Sequence, residues 1–192
     1  MARKAPVVFL DRDGTLIHDR PGFYLRRPEQ VRVYPPVFEA LRRLRAAGYR
    51  LVVVSNQSGI GRGFLDHATL SRIHSRLKAL LKGGGARLDG IYFCPHHPDD
   101  GCPCRKPSPL LARRAVRELG LTLRGAAVVG DKKADADLAR ALGVPAVLVK
   151  TGHGRHQRER WGRRLRADHE SKDLLAAANW ILKNLADGRR RG

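Results

Sequence analysis

The chain has 192 residues, 42% of them hydrophobic, 6% aromatic and 29% charged, with a formal net charge of +20. That length suits one domain with a substantial core and is too short for two full ones. The apolar residues come in short runs such as 7–10 and 51–54, far below the roughly 20 that a membrane-spanning helix needs, so no membrane association is expected. The start, Met1-Ala2-Arg3-Lys4 and then at once a strand-like run, lacks a signal-peptide pattern, which predicts a cytoplasmic location. So large a positive charge raises nucleic acid as a partner, because Lys and Arg release counterions from phosphate backbones. Arg is spread over every predicted helix, however, and is densest at 155–166 and 189–191, with no nucleic-acid recognition motif and no aromatic platform beside it. A solvated basic face without a specific nucleic-acid partner is the expectation, and the same charge suits attraction of a small dianionic substrate.

Short apolar runs alternate with amphipathic segments, the pattern of an α/β fold with a mostly parallel sheet. Residues 7–10 predict a buried strand. Pro35 and Pro36 introduce a helix over 37–47, with Val37, Leu41 and Leu44 at helical spacing and Gly48 closing it. A strand over 50–54 follows, then a helix over 66–81 with Leu70, Ile73, Leu77 and Leu80 on one face, ending at Gly83, Gly84 and Gly85. Residues 91–93 predict a short third strand. After a Pro-, Cys- and His-rich excursion over 94–109 come a helix to about Leu119, a strand over 126–129, a helix over 134–142, a strand over 146–149 and a last helix over 174–185. One domain over 1–187 and a disordered basic tail over 188–192 account for the chain.

Ligands of open α/β sheets bind at the carboxyl ends of strands, so polar residues that follow strand runs are the first candidates. Asp11-Arg12-Asp13-Gly14-Thr15 places two carboxylates at one strand end. A carboxylate attacking a phosphate dianion needs a cation between them, and Mg²⁺ with hard oxygen ligands is the expected one. Asp11 can then carry the phosphoryl group, while Asp13, crowded by a second carboxylate, can hold a proton for the leaving oxygen. The bland reading is an Asp-Gly turn. Ser55-Asn56-Gln57-Ser58-Gly59 can cradle a phosphate but by itself is an ordinary loop composition. Arg105-Lys106-Pro107 offers a point charge for a transferring phosphoryl group, against the commoner reading of a surface basic pair. Gly130-Asp131-Lys132-Lys133-Ala134-Asp135 offers Asp131 as a further metal carboxylate or as a helix N-cap.

All three cysteines fall in Cys94-Pro95-His96 and Cys102-Pro103-Cys104, two close pairs that suit a structural Cys₃His zinc site. A disulfide is disfavoured in a cytoplasmic-looking chain. His97 is expected to be a bystander, and His153 and His156 to lie on the surface.

Taken in order, Asp11-x-Asp13-Gly-Thr, Ser55, Lys106 and Gly-Asp131-x-x-x-Asp135 resemble the four motifs of the haloacid dehalogenase superfamily. The resemblance implies a Rossmann-like three-layer sandwich with a minimal cap and a zinc-binding loop that shapes the rim. It makes Asp11 the nucleophile, Asp13 the general acid and base, Ser55 and Lys106 phosphoryl stabilisers, and Asp11, Asp13 and Asp131 the Mg²⁺ ligands. The Cys/His loop is similar to those of two branches, the heptose bisphosphate phosphatases and the histidinol-phosphate phosphatases. Residues 9–15, 55–63, 94–98, 149–152 and 178–182 resemble the first. That branch implies a small phosphorylated sugar as substrate. Its 7-phosphate is removed from a heptose 1,7-bisphosphate, leaving heptose 1-phosphate for nucleotide activation in lipopolysaccharide core synthesis. By the same resemblance the substrate contacts are Asp19, Gly22, Tyr24, Asn56, Gln57, Ser58, Arg105 and Lys132, with Arg105 reading the second phosphate; a monomer is the expected state. The chain departs from the pattern in a short stretch between His96 and Cys102 and in Pro21, which lengthens the segment after Asp19; both bear on substrate detail. The alternatives are a histidinol-phosphate phosphatase and, in a different class, a basic nucleic-acid-binding module on the same fold.

Overall fold

The structure, a computed structural model, describes residues 4–19 and 22–185. The tail expected at 188–192 and the residue Pro21 lie outside the described residues. Six strands form a single sheet: β1 (Pro6–Leu10), β2 (Arg50–Asn56), β3 (Gly90–Cys94), β4 (Thr122–Gly130), β5 (Ala146–Val149) and β6 (His169–Ser171). Their order is β3-β2-β1-β4-β5-β6, and every neighbouring pair is parallel. The sheet expected to be mostly parallel is therefore wholly so among the described residues.

Among the described residues six α-helices cover it: α1 (Pro35–Ala46), α2 (His67–Gly83), α3 (Leu110–Glu118), α4 (Lys133–Leu142), α5 (Gly154–Trp161) and α6 (Leu174–Leu185). Alternation along the central strands separates two cores. Val8 and Leu10 of β1, with Leu51 and Val53 of β2, pack with Leu41 of α1, Leu77 of α2 and Ile181 of α6. Val7, Phe9, Val52 and Val54 point the other way, onto Leu111 and Ala115 of α3 and Leu138 and Leu142 of α4. A sheet buried on both faces needs runs that are apolar without alternation, which is what these strands carry. The result is the three-layer sandwich.

The chain crosses from β1 through α1 to β2 on one side, and from β3 through α3 to β4 on the other. Strand order thus reverses between β1 and β4, and the crevice at their carboxyl ends is the place where such sheets bind ligands. Asp11 follows β1, its N–H donating to Val129 O of β4 at 2.9 Å, and Asp131 follows β4. Between β2 and α2 only residues 57–66 intervene, and between β1 and α1 the described residues form isolated bridges and one short 3₁₀ turn, Pro28–Gln30. That leaves no room for a cap domain.

Besides short 3₁₀ turns, one helix and one strand among the described residues are additional to those predicted. α5 carries Arg155, Arg158 and Arg160 and little apolar surface, so it has no helical stripe to read, and it is held by Gln157 Oε1 on the Lys133 N–H and by Arg158 on Glu170. β6 is three residues long and pairs with β5 alone, its His169 ring stacked on Trp180 at 4.9 Å. No helix among the described residues is long and apolar enough to cross a membrane.

Candidate active site

Asp11, Asp131 and Asp135 converge at the β1/β4 crevice, all buried, with one oxygen from each within 4.8 Å of the others. Burial pushes the Asp131 carboxyl well above the ordinary range, and although Lys132 opposes this, Asp11 and Asp135 add to it. Such a group of like charges needs compensation. Part of it comes from Lys106, whose buried Nζ donates to Asp11 Oδ1 at 2.8 Å, Asp135 Oδ1 at 2.6 Å and Val54 O at 2.7 Å. Burial lowers the Lys106 pKa, but the two carboxylates outweigh it and hold the ammonium charged. Lys132 Nζ stands 3.8 Å from Asp131 Oδ1, an ion pair too long for a hydrogen bond, so that oxygen is buried with no hydrogen-bond partner, while Oδ2 accepts the His153 N–H at 2.8 Å. An orphaned carboxylate oxygen beside two more carboxylates fits a hard divalent cation such as Mg²⁺. Gly14 makes room for it. Its φ is +84°, and a Cβ there would lie 2.0 Å from Asp131 Oδ2.

Asp13 turns to a different set of partners. Arg12 Nη2 donates to both of its oxygens at 2.9 Å and Nε to both at 3.1 and 3.2 Å, while Gln57 Nε2 donates at 2.7 Å. Burial alone would raise the Asp13 pKa, but the Arg12 charge and hydrogen bonds, with Lys132 and Gln57, hold it below the ordinary value. The expectation that a neighbouring carboxylate loads Asp13 with a proton is therefore corrected, because a guanidinium lies against it. Gln57 Nε2 also donates to Ser55 Oγ at 2.7 Å. Asn56 donates to Lys106 O at 3.2 Å and accepts its N–H at 2.9 Å, so both ends of its amide hold the lysine backbone.

Asp11, Asp13, Ser55, Asn56, Gln57, Lys106 and Asp135 line one open cavity of about 380 Å³. Asp11, Asp13, Ser55 and Lys106 are on its wall, as are Asp19, Gly22, Tyr24, Asn56, Gln57, Ser58, Arg105 and Lys132, so every residue expected to be catalytic or to contact substrate is brought together. Arg105 Nη1 is buried without a partner, a donor with spare capacity for an anion. Asp19 Oδ2 joins Lys132 Nζ at 3.2 Å and His153 Nε2 at 3.1 Å. Burial would lower the Lys132 pKa, yet Asp131, Asp11, Asp19 and Asp13 together raise it strongly.

Beside the cavity lies the second cluster. Cys94 Sγ is 3.4 Å from Cys102 Sγ and 3.6 Å from His96 Nδ1, and Cys104 Sγ is 3.3 Å from His96 Nδ1 and 3.7 Å from Cys102 Sγ. A tetrahedron with Zn–S of 2.3 Å and Zn–N of 2.0–2.1 Å has edges of about 3.5–3.8 Å, close to this set. The four ligands fit a zinc ion. Burial and contact with the other two cysteines push the Cys94 thiol up to about 12 despite a bond from the His96 backbone. A bound cation would reverse that cost by stabilising thiolate. His97 stays out of the cluster, its Nδ1 accepting the Asp99 N–H. The loop is stitched to the cavity wall through Gln57 N–H to Cys94 O at 2.7 Å and Gly61 N–H to Pro95 O at 2.8 Å. A Cβ on Gly61 would meet the His97 backbone N at 2.3 Å.

Residues 22–143 match the family model for haloacid dehalogenase-like hydrolases, and a second HAD-type hydrolase model matches 103–187. The chain belongs to the haloacid dehalogenase-like hydrolase family. It is 40% identical over 154 residues to the D-glycero-beta-D-manno-heptose-1,7-bisphosphate 7-phosphatase of Pseudomonas putida, a match spanning 80% of this chain and 87% of that protein. Identity to the enzyme of the same name from Bordetella bronchiseptica is 37% over 177 residues, spanning 92% and 98%. Among solved structures, D,D-heptose 1,7-bisphosphate phosphatase from B. bronchiseptica, complexed with magnesium and phosphate, aligns with a TM-score of 0.84 at 37% identity, covering 93% of this chain and 98% of that one. The corresponding enzyme from Burkholderia thailandensis aligns with a TM-score of 0.71 at 31% identity, covering 93% and 99%.

Against the haloacid dehalogenase pattern, three positions differ from the sequence reading. The carboxylates that gather are Asp11, Asp131 and Asp135, not Asp13, whose side chain is occupied by Arg12 and Gln57. Asp135, with no role assigned from sequence, pairs with Lys106. His153, expected on the surface, lines the cavity and contacts Asp19, whereas His156 is exposed as expected. A motif-level signal for His153 was absent, because its place depends on how the turn after β5 folds back onto Gly14 and Asp131.

Proposed function

We propose that this hydrolase removes the 7-phosphate of D-glycero-D-manno-heptose 1,7-bisphosphate through a phosphorylated Asp11, as a step toward nucleotide-activated heptose. The reading takes it as a cytoplasmic monomer acting on a small phosphorylated sugar, with neither membrane nor nucleic acid as partner. The observation that carries it is a pair of buried groups of opposite sign without hydrogen-bond partners, Asp131 Oδ1 among the carboxylates of the β1/β4 crevice for a cation and Arg105 Nη1 on the cavity wall for an anion. The names of the relatives at 37–40% identity support the substrate.

An Asp11 oxygen bonds to phosphorus as the ester bond breaks, and Lys106 steadies the carboxylate and the charge that spreads over the phosphoryl oxygens. Ser55 Oγ, which accepts from Gln57, keeps its own O–H to donate to a phosphoryl oxygen. Asp13 is ionised as it stands, and the charge of an arriving phosphate dianion raises its pKa so that it takes up a proton from solvent, which it then gives to the leaving oxygen. In the second step water attacks phosphorus, its proton passes to Asp13, and Asp11 departs as a carboxylate. Asp11 and Asp131 would hold a Mg²⁺ ion, which would supply charge neutralisation during phosphoryl transfer. Cys94, His96, Cys102 and Cys104 would hold a zinc ion, which would order the loop that precedes Arg105 and Lys106.

The test is phosphate release, with Mg²⁺ present, from heptose 1,7-bisphosphate and from histidinol phosphate. Asp11→Asn serves as the blank and is expected to lose at least about four orders of magnitude in kcat. A large preference for the bisphosphate is the expected result. Preference for histidinol phosphate would assign the enzyme to the sister branch, and no Asp11-dependent release from either would leave only the family.

A further inference from the structure

Arg12 stands between the two aspartates of its motif and is 2% exposed, the largest side chain so deeply buried. Burying a guanidinium is costly unless its donors are satisfied, and here they are, in three directions. Nε and Nη2 grip the Asp13 carboxylate as a fork, Nη2 also donates to Gln57 Oε1 at 2.8 Å, and Nη1 contacts His74 Nε2 at 3.1 Å. Arginine has no acceptor, so His74 Nε2 must be the acceptor and the ring must be neutral. His74 sits on α2, is 8% exposed, and packs edge-on against Phe93 at 5.5 Å. It lies outside the cavity wall and touches no phosphoryl-transfer residue directly.

The consequence falls on Gln57. An amide can be placed either way round, and two neighbours decide which: Arg12, a donor only, fixes the oxygen, so the nitrogen faces Asp13 Oδ2 and Ser55 Oγ. We propose that Arg12, anchored by His74, is a positioning residue that sets both the Asp13 carboxylate and the orientation of the Gln57 amide, and through Gln57 the hydroxyl of Ser55. This rests on the phosphatase reading for its kinetic consequence and on the geometry alone for its structural one. His74 holds the far end of a four-member relay, His74, Arg12, Gln57 and Ser55, with Asp13 gripped at its centre. Without an acceptor at position 74 the guanidinium loses one of three fixed points, and the fork and the amide lose their shared register.

The experiment uses His74→Leu, which removes the acceptor, and His74→Gln, whose side-chain oxygen can replace it. Arg12→Lys is a third variant that keeps the charge and loses the fork. Thermal midpoints establish that each is folded at the assay temperature. Steady-state kinetics on heptose 1,7-bisphosphate are expected to show kcat reduced about tenfold to a hundredfold in His74→Leu with KM little changed, and most of kcat regained in His74→Gln, since a misplacement of about 1 Å costs on that order. Solvent exchange of the Gln57 side-chain amide protons, followed by NMR, should be slow in wild type and His74→Gln and fast in His74→Leu. Wild-type kcat in His74→Leu, or equal loss in both variants without rescue, would overturn the relay. Should the wild-type protein release no phosphate at all, the functional reading fails, and the Gln57 exchange rates still decide the relay.

Discussion

The molecule carries two clusters of metal-type ligands side by side, and they are built in opposite ways. Cys94 ends β3, and His96, Cys102 and Cys104 lie on the segment that follows it, so their proximity costs little chain and depends on local spacing. Asp11 and Asp131 follow two strands that meet only because the sheet order places β4 beside β1, Asp135 lies in the first turn of α4, and Lys106 reaches Asp11 across 95 positions of sequence. Beyond Cys94 the first arrangement has no strand or long helix of its own and is tied to the cavity wall by a few backbone hydrogen bonds, such as Gly61 N–H to Pro95 O. The second is held by buried strands before any ion arrives. Preorganisation of that kind is what a phosphoryl-transfer site requires, whereas a loop that shapes a rim can depend on its ion.

Three perturbations separate the two clusters, and the largest is in the strand-built one. Lys106→Met leaves Asp11 and Asp135 buried without their cation, and breaking such a pair costs about 3–5 kcal/mol. A fall in kcat of roughly two to three orders of magnitude is expected, with a lowered thermal midpoint, read by phosphate release and by circular dichroism. Next comes Cys102→Ser, which removes a ligand from the loop. Elemental analysis should find the zinc lost and KM should rise about tenfold, while kcat falls less than in Lys106→Met. A kcat loss as deep as that of Lys106→Met would erase the distinction, because it would mean that the loop places the lysine. The smallest effect tests the joint between the two. Asn56→Ala deletes both bonds to the Lys106 backbone, each worth about 0.5–1.5 kcal/mol, so kcat should fall about tenfold with zinc content unchanged.

The same contrast governs what was readable beforehand. The Cys₃His set follows from spacing within one short segment, and the structure brings those four residues to tetrahedral distances. The motifs after β1, β2 and β4 were legible as candidates because apolar runs mark strands and polar residues at their ends mark a ligand edge. Asp13 was read as a proton carrier crowded by carboxylate, but spacing carries no information on side-chain direction, and Arg12 lies against it. His153 and α5 escaped for a related reason: a basic segment without an apolar stripe gives no hint of where it folds back. No local signal marks His74 on its helix, since its contact with Arg12 spans 62 positions.

From composition and periodicity alone came the α/β class, the order of the predicted strands and helices, the loop of soft ligands and the acidic motifs, since each depends on neighbours within a few residues. Tertiary structure decided which carboxylates meet, which base each one faces, and which buried polar atoms are left without partners. Those outcomes depend on parallel pairing between strands distant in sequence and on the alternate faces that the pleat gives their ends, so no local pattern encodes them.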